Sequence, residues 1–404
     1  MKILHTSDWH LGHKLYGRPR YDEFTHFLQW LENCIKEHGV DTLLVAGDIF
    51  DSQTPSNRSL AMYYRFLSKL SATCCRHIII IGGNHDSPTL LNAPRDLLHY
   101  LNIHVIGSVP ENIDKELIIL HDENDYPEAI ILAVPYLRDK DIRSSTPEES
   151  VKDKQQKMLQ GIQDHYFTLA DLASVKQKQL NKRVPIIATG HLFCQGGKTR
   201  QGDGVRELYV GSLVQVGLDC FPASIDYLAL GHLHMPQKVS NQESRRYSGS
   251  PLTMNFSEAD QIKKVLLVDS DAINVQEIPV PCFQSLQNIT GDLKHILHTL
   301  SNLVEKNKSI LLEIQYNGDN LVDDLQEQIT SAVSGSQLEV LRVSNKRIYN
   351  HVLQQSAEIK TLEELDPHQV FQQCLDLREI PIEQQHELIL DFKTCLNALQ
   401  HEEQ

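Results

Sequence analysis

The chain has 404 residues, long for one domain and sufficient for two or three. Hydrophobic residues make up 41% and charged residues 23%, the profile of an ordinary soluble globular protein, and no apolar run approaches the ~20 residues of a membrane helix. The net charge of −15 excludes a surface that is basic throughout, although residues 356–404 alone carry 11 Asp/Glu against 3 Lys/Arg.

The chain enters its first strand, Lys2-Ile3-Leu4, with no signal-peptide core ahead of it, so a cytoplasmic location is expected. That strand leads to Asp8-Trp9-His10. Tyr21 to His38 reads as a helix, because Phe24, Phe27, Leu28, Leu31 and Ile35 share one face and Gly39 stops it. The strand Leu43-Leu44-Val45-Ala46 runs into Gly47-Asp48-Ile49-Phe50-Asp51. A helix from Arg58 to Leu70 precedes the strand Ile78-Ile79-Ile80-Ile81 and the motif Gly83-Asn84-His85-Asp86. Strand, helix, strand, helix, strand in this order predicts parallel crossover units.

Ala129 to Val134 is a further strand, and Thr146-Pro147-Glu148-Glu149 opens a helix within the Lys/Gln-rich stretch to Lys182. Ile186-Ile187-Ala188 ends on Gly190-His191, and Tyr227-Leu228-Ala229-Leu230 ends on Gly231-His232-Leu233-His234. The strand Lys264 to Val268 closes this domain near residue 275, and Pro279 and Pro281 mark a linker. Residues 283–345 read as a small α+β unit: helix Asp292–Lys306, strand Ser309–Gln315, helix Leu321–Val333, strand Leu338–Val343. Residues 346–404 hold two amphipathic helices. One is capped by Asp366-Pro367 and carries Val370, Phe371, Cys374 and Leu375; the other carries Leu388, Phe392, Cys395 and Leu399. The 8 cysteines include no C-x-x-C pair, which excludes common zinc-ribbon and redox patterns and leaves reduced thiols.

In an α/β sheet the strand C-termini share one edge, so five strand-end motifs bring Asp8, His10, Asp48, Asn84, His191, His232 and His234 together. Alone, each residue is unremarkable: a loop His is commonly a surface or capping residue, and Gly-Asp or Asn-His pairs commonly serve turns. Five such motifs at successive strand ends point instead to a nitrogen-and-oxygen ligand set for two divalent ions. Mixed imidazole and carboxylate ligands without cysteine suit Mn²⁺ or Fe²⁺ better than Mg²⁺ or Ca²⁺, and Mn²⁺ is the expected cofactor. Two such ions about 3.5–4 Å apart can clamp a phosphate and activate a water, with one carboxylate bridging them. Asp48 is the natural bridge. The run Gly196-Gly197-Lys198-Thr199 imitates a P-loop, but Leu192 stands where the first Gly must be, so no ATP site is expected there.

The pattern Asp-x-His, Gly-Asp-x-x-Asp, Gly-Asn-His-Asp, Gly-His, Gly-His-x-His over residues 1–270 resembles the calcineurin-like metallophosphoesterases. Within them, His5-Thr6-Ser7-Asp8-Trp9-His10-Leu11-Gly12, Pro55-Ser56 and Tyr247-Ser248-Gly249-Ser250-Pro251 look like the SbcD-type DNA nucleases. The resemblance implies a sandwich of two central β-sheets flanked by helices, a small α+β capping domain, and C-terminal helices that dock a separate SbcC-type coiled-coil ATPase. It implies Asp8, His10, Asp48 and His234 on one ion, Asp48, Asn84, His191 and His232 on the other, and His85 as the catalytic residue that protonates the leaving 3′-oxygen or stabilises the charge building on the scissile phosphate. Asp51 stands where some archaeal relatives carry His, and no role is carried over to it. The implied substrates are double-stranded DNA ends and hairpins, and the implied assembly is a homodimer within a heterotetramer, with the helices around Arg58–Leu70 and Pro94–Leu101 as its dimer surface. Against a phosphoprotein substrate, Ser52 follows the second motif where the protein phosphatases have Arg-Gly; against a cyclic nucleotide stand the ~130 residues beyond the catalytic domain. A non-catalytic scaffold is disfavoured by the intact ligand set.

Overall fold

The computed structural model describes residues 1–143, 150–197, 215–318, 322, 324–345, 371–372, 375, 385 and 388–393. The chain divides between Leu286 and Gln287 into two compact units.

The first unit is built on two six-stranded mixed sheets. One runs in the order Asn274–Pro279, Lys264–Asp269, Lys2–Thr6, Thr42–Ala46, His77–Ile81, Ile103–Ile106, its last four strands parallel. The other runs Gln237–Val239, Gln242–Tyr247, Tyr227–Gly231, Ile186–His191, Pro127–Leu132, Leu117–His121. Its four central strands are parallel and its two edge strands antiparallel. The central strands, such as Thr42–Ala46, His77–Ile81 and Tyr227–Gly231, read as continuous apolar runs because both faces of the sheets are buried there. In Thr42–Ala46 and His77–Ile81 the residues Leu43, Val45, Ile78 and Ile80 pack outward against helices, while Leu44, Ala46, Ile79 and Ile81 face inward. There they meet Ile131, Ile187 and Ala229 of the second sheet. Helices Tyr21–His38 and Asn57–Leu70 cover the first sheet, and the long helix Val151–Leu180 covers the second.

The helix boundaries have local causes. Gly39 is left-handed and caps the first helix, Ser56 Oγ accepts from Ser59 N at 3.1 Å, and Ser150 Oγ accepts from Asp153 N at 3.2 Å. The helix start expected at 146–149 lies outside the described residues; the observed helix begins at Val151. Asn274–Pro279, expected as the approach to a linker, pairs antiparallel with Lys264–Asp269 as an edge strand of the first sheet.

In the second unit, strands Ser285–Gly291, Ile310–Tyr316 and Leu338–Asn345 form one sheet in that order. Helix Leu293–Glu305, capped by Asp292 on His295 N at 2.8 Å, and helix Leu325–Val333 pack Ile296, Leu300 and Ile329 on Leu312 and Ile314. Of the C-terminal segment, Phe371 and Phe392 stack with ring centroids 4.1 Å apart and an interplanar angle of 5°. Val370, Cys374, Cys395, Leu399 and the Asp366-Pro367 cap lie outside the described residues.

Candidate metal centre

The strand ends do converge, but from two sheets. The loop after Lys2–Thr6 and the loop after Thr42–Ala46 zip together: Asp8 N donates to Gly47 O at 3.0 Å, His10 N to Asp48 O at 3.0 Å and Leu11 N to Ile49 O at 2.9 Å. This places Asp8 and His10 beside Asp48. His191, His232 and His234 come from the facing sheet. Asp8, His10, Asp48 and His232 all have positive φ, at 53°, 47°, 51° and 98°, a strain that non-glycine residues hold where surrounding bonds enforce it. Glycines give the close approach. A Cβ on Gly83 would sit 2.2 Å from Asp48 Oδ1, and one on Gly231 would sit 1.9 Å from Ala46 O.

The ring nitrogens and carboxylate oxygens of these residues face one another. His191 Nδ1 lies 3.0 Å from Ala46 O, a group that can only accept, so Nδ1 carries a proton and Nε2 is the ring atom turned inward. Nε2 meets Asp48 Oδ2 at 3.2 Å and Asn84 Oδ1 at 2.9 Å. On the other side, His10 Nδ1 is 3.4 Å from Asp51 Oδ1, and His234 Nδ1 is 3.3 Å from Glu258 Oε1. The Glu258 contact leaves the His234 Nε2 lone pair facing His10 Nε2, 3.2 Å away. A proton or a metal cation between such nitrogens holds them together. Asp8, His10 and His234 form one group able to hold an ion, and Asp8, Asp48 and His191 another.

The protonation equilibria report the same crowding. Burial opposes a charged His10 ring, but the Asp51, Asp48 and Asp8 carboxylates outweigh it and push the ring up to about 9. Burial likewise opposes a charged His191, and Asp48 carries it up to about 9. Burial would lift the Asp48 carboxyl, yet His191, His10 and His85 hold it well below the usual carboxylate range. Burial and the neighbouring His191 push His232 well below an ordinary imidazole. With no metal, protons take the cation's place on the two raised rings.

His85 sits at the rim. Its backbone N–H donates to Asp48 Oδ1 at 2.8 Å, its Nδ1 donates to Asp51 O at 2.8 Å, and its ring meets the His10 ring at 4.8 Å between centroids. Asp51, left without a role by the sequence, links His10 to His13, whose Nδ1 is 3.0 Å from Asp51 Oδ1 and whose Nε2 is 3.0 Å from Met254 O. A cavity of about 400 Å³ opens beside Asp51, bordered by His13, Lys14, Tyr21, Ser52 and Ser56.

Several supporting residues have no individual role in the sequence reading. Asp86 is fully buried and accepts from Ile49 N, Phe50 N and Gly83 N at 3.1, 3.0 and 2.9 Å, clamping the second and third motifs together. Burial first, then the Asp48 charge, push its carboxyl up to about 6 against the pull of those amides. The Tyr247–Ser250 run supports the site from the second sheet. Tyr247 OH donates to Leu192 O at 2.8 Å, and Ser248 Oγ meets Ser7 Oγ at 2.8 Å, which in turn donates to Asp8 Oδ2 at 2.6 Å. Glu258 and Lys263 are buried behind His234 and paired at 2.6 Å. Burial would raise Glu258, but His234 and Lys263 hold it down at about 2. The P-loop imitation begins with a turn, Gly197 N to Cys194 O at 3.0 Å; Lys198 and Thr199 are outside the described residues.

Residues 1–236 match the calcineurin-like phosphoesterase family, and residues 282–379 match the family described as the type 5 capsule protein repressor C-terminal domain. The chain is 36% identical over 409 residues to the SbcD subunit of the SbcCD nuclease of Escherichia coli K12, an alignment spanning 99% of this chain and 98% of that one. It is 35% identical over 274 residues to the SbcD subunit of Bacillus subtilis strain 168, spanning 67% and 66% of the two chains. To the SbcD subunit of Rhodobacter capsulatus it is 34% identical over 290 residues, spanning 70% and 69%.

Proposed function

Because the chain belongs to the calcineurin-like phosphoesterase family and, within it, to the SbcD subunits of the SbcCD nucleases, we propose that it is a Mn²⁺-dependent DNA nuclease that works with an SbcC-type coiled-coil ATPase. The proposed activities are exonuclease on double-stranded ends and endonuclease on hairpins and single strands, in DNA repair, recombination and replication. The observation that carries this is the convergence of Asp8, His10 and His234, and of Asp8, Asp48 and His191, into two buried groups each able to hold an ion.

The proposed ligand sets are Asp8, His10, Asp48 and His234 for one ion, and Asp48, Asn84, His191 and His232 for the other, with Asp48 shared. When bound, such a pair clamps a phosphate and lowers the pKa of an attacking water. The protein's own residues supply the rest. Asp51 O holds His85 Nδ1 and thereby fixes the ring, so Nε2 is the edge that delivers a proton to the leaving 3′-oxygen. The hydroxyl-lined cavity beside Asp51, with Lys14 at its border, suits the sugar-phosphate on one side of the scissile bond. Net negative charge elsewhere leaves much of the DNA backbone contact to the partner. Exposed Leu97 and Tyr100, at 70% and 87% of their full accessibility, support the proposed homodimer surface near Pro94–Leu101. No helix among the described residues is long and apolar enough to cross a membrane, which accords with the proposed cytoplasmic location.

The test is cleavage of linear and hairpin DNA by the pure protein, with and without an SbcC-type ATPase, in Mn²⁺ and in Mg²⁺. Cleavage that is faster in Mn²⁺ and stimulated by the ATPase is expected. Faster cleavage in Mg²⁺ would overturn the ligand assignment, and turnover of a cyclic nucleotide or phosphoprotein in place of DNA would overturn the substrate.

A further inference from the structure

We infer that Glu258 is a positioning residue that sets the tautomer of His234 and thereby keeps one metal site in its binding form; this rests on the proposed reading of His234 as a ligand. Glu258 lies 24 positions beyond His234 in sequence and is fully buried. Its two oxygens face different partners. Oε2 accepts from Lys263 Nζ at 2.6 Å and from Met254 N at 3.0 Å. Oε1 meets His234 Nδ1 at 3.3 Å and Asn255 Nδ2 at 3.3 Å. Lys263 is itself fixed by His234 O at 3.2 Å and Ser250 Oγ at 3.0 Å, so the strut is braced at both ends.

The arrangement is directional. An ionised carboxylate accepts at both oxygens and donates at neither, so His234 meets it with Nδ1–H and keeps Nε2 unprotonated toward His10 Nε2. Replacing Glu258 by Gln keeps the shape and reverses this. The charged Lys263 ammonium at 2.6 Å and the Met254 amide at 3.0 Å fix the amide oxygen at the Oε2 position, outweighing the longer 3.3 Å contact of Asn255 Nδ2 at Oε1, which the substitution gives up. The NH₂ then points at His234 Nδ1, which must become the acceptor, and the proton moves to Nε2. That is the tautomer that cannot bind a metal through Nε2.

The experiment compares wild type, Glu258→Gln and His234→Ala in the full-length protein. Mn²⁺ binding is measured by calorimetry, and imidazole ¹⁵N resonances are recorded without metal. Glu258→Gln is expected to lower affinity at one of two sites by about 10–100-fold. It should also convert one histidine, the resonance missing in His234→Ala, from the Nδ1–H to the Nε2–H form. If Glu258→Gln does not melt cooperatively, the double variant with Lys263→Met removes both buried charges while Met254 N still orients the amide, and it carries the same expectation. Loss of Mn²⁺ in His234→Ala with wild-type binding and tautomer in Glu258→Gln overturns the role of Glu258. Wild-type binding in His234→Ala overturns the ligand reading instead.

Discussion

His10 and His234 are separated by 224 positions in sequence, yet their Nε2 atoms stand 3.2 Å apart, each ring with its Nδ1 turned to a carboxylate. The Glu258 contact leaves His234 Nε2 as the acceptor toward His10 Nε2, a place that a proton or a metal cation can fill. His191 Nε2 and the Asp48 carboxylate, 3.2 Å apart, repeat this arrangement on the other side of the centre.

Metal and protons should accordingly compete. His10 and His191 rise from 6.5 to about 9 in the metal-free protein, so each contributes stability that is complete below pH 6.5 and is lost as pH climbs through 9. Metal-free protein should therefore melt at progressively lower temperature between pH 6.5 and 9. Mn²⁺ affinity should rise over the same window, and binding at pH 7.5 should release about two protons. Calorimetry in buffers of differing ionisation enthalpy measures that release; a value near zero would mean that His10 and His191 are not displaced by metal.

Asp48 and His85 are adjacent through the 2.8 Å bond from His85 N to Asp48 Oδ1, but their substitution should separate two functions. Asp48→Asn tolerates the left-handed backbone at φ 51° and removes the charge proposed to be shared by the two ions, so bound metal and cleavage should fall together. His85→Ala should retain wild-type metal content while slowing cleavage by about 10²–10⁴-fold. Elemental analysis of both purified proteins decides the matter, and metal loss in His85→Ala would remove its assigned role as proton donor.

Asp86 predicts a structural phenotype at a position inside the third motif. Three buried backbone N–H groups depend on its carboxylate. Each left without a partner costs about 1–3 kcal/mol, so Asp86→Ala should lower the melting temperature by roughly 10 °C or more. Asp86→Asn should lose less, because its oxygen can serve the Ile49 and Gly83 amides while its NH₂ opposes that of Phe50. Equal melting of wild type and Asp86→Ala, both loaded with Mn²⁺, would show that the clamp is dispensable.

What can be read ahead of the structure follows from where physical constraint leaves a local trace. Leu43–Ala46 and Ile78–Ile81 announce themselves because strands buried on both faces are apolar at every position, and Gly83 and Gly231 because close approach forbids a Cβ. The same uniformity hides the partition into two sheets. With no alternation of polar and apolar residues, Ile186–His191 carries no mark that it pairs with Tyr227–Gly231 rather than with Lys2–Thr6. The supporting network is harder still. His13, Glu258 and Lys263 act through long-range hydrogen bonds, and nothing in their spacing to His10 or His234 betrays them. A signal does exist at Tyr247-Ser248-Gly249-Ser250-Pro251, whose hydroxyls brace Asp8, Leu192 and Lys263. Asn274–Pro279 escapes a sequence reading because its polar outward residues and terminal Pro279 look like a linker, although an edge strand accommodates both.

The acidic C-terminal segment carries an apolar surface of its own. Phe371 and Phe392 stack face to face at 4.1 Å, and Gln372 Nε2 donates to Gln385 Oε1 at 2.9 Å, so the two stretches pair with each other. That pairing leaves Leu388 and Leu390 exposed at 38% and 56%, within a strongly acidic run. If this surface receives the coiled-coil ATPase, a chain ending near residue 347 should retain the first unit and the three-stranded sheet of the second. It should then cleave simple DNA with Mn²⁺ at a rate close to wild type, melt within a few degrees of it, and fail to co-purify with the ATPase. Leu388→Glu in the full-length chain should reproduce the binding defect without removing any backbone. Should the helices instead belong to their own domain, the shortened chain would melt measurably lower and still bind its partner. Thermal melts and a pull-down on these two proteins separate the outcomes, and retained ATPase binding by the shortened chain would sink the docking assignment.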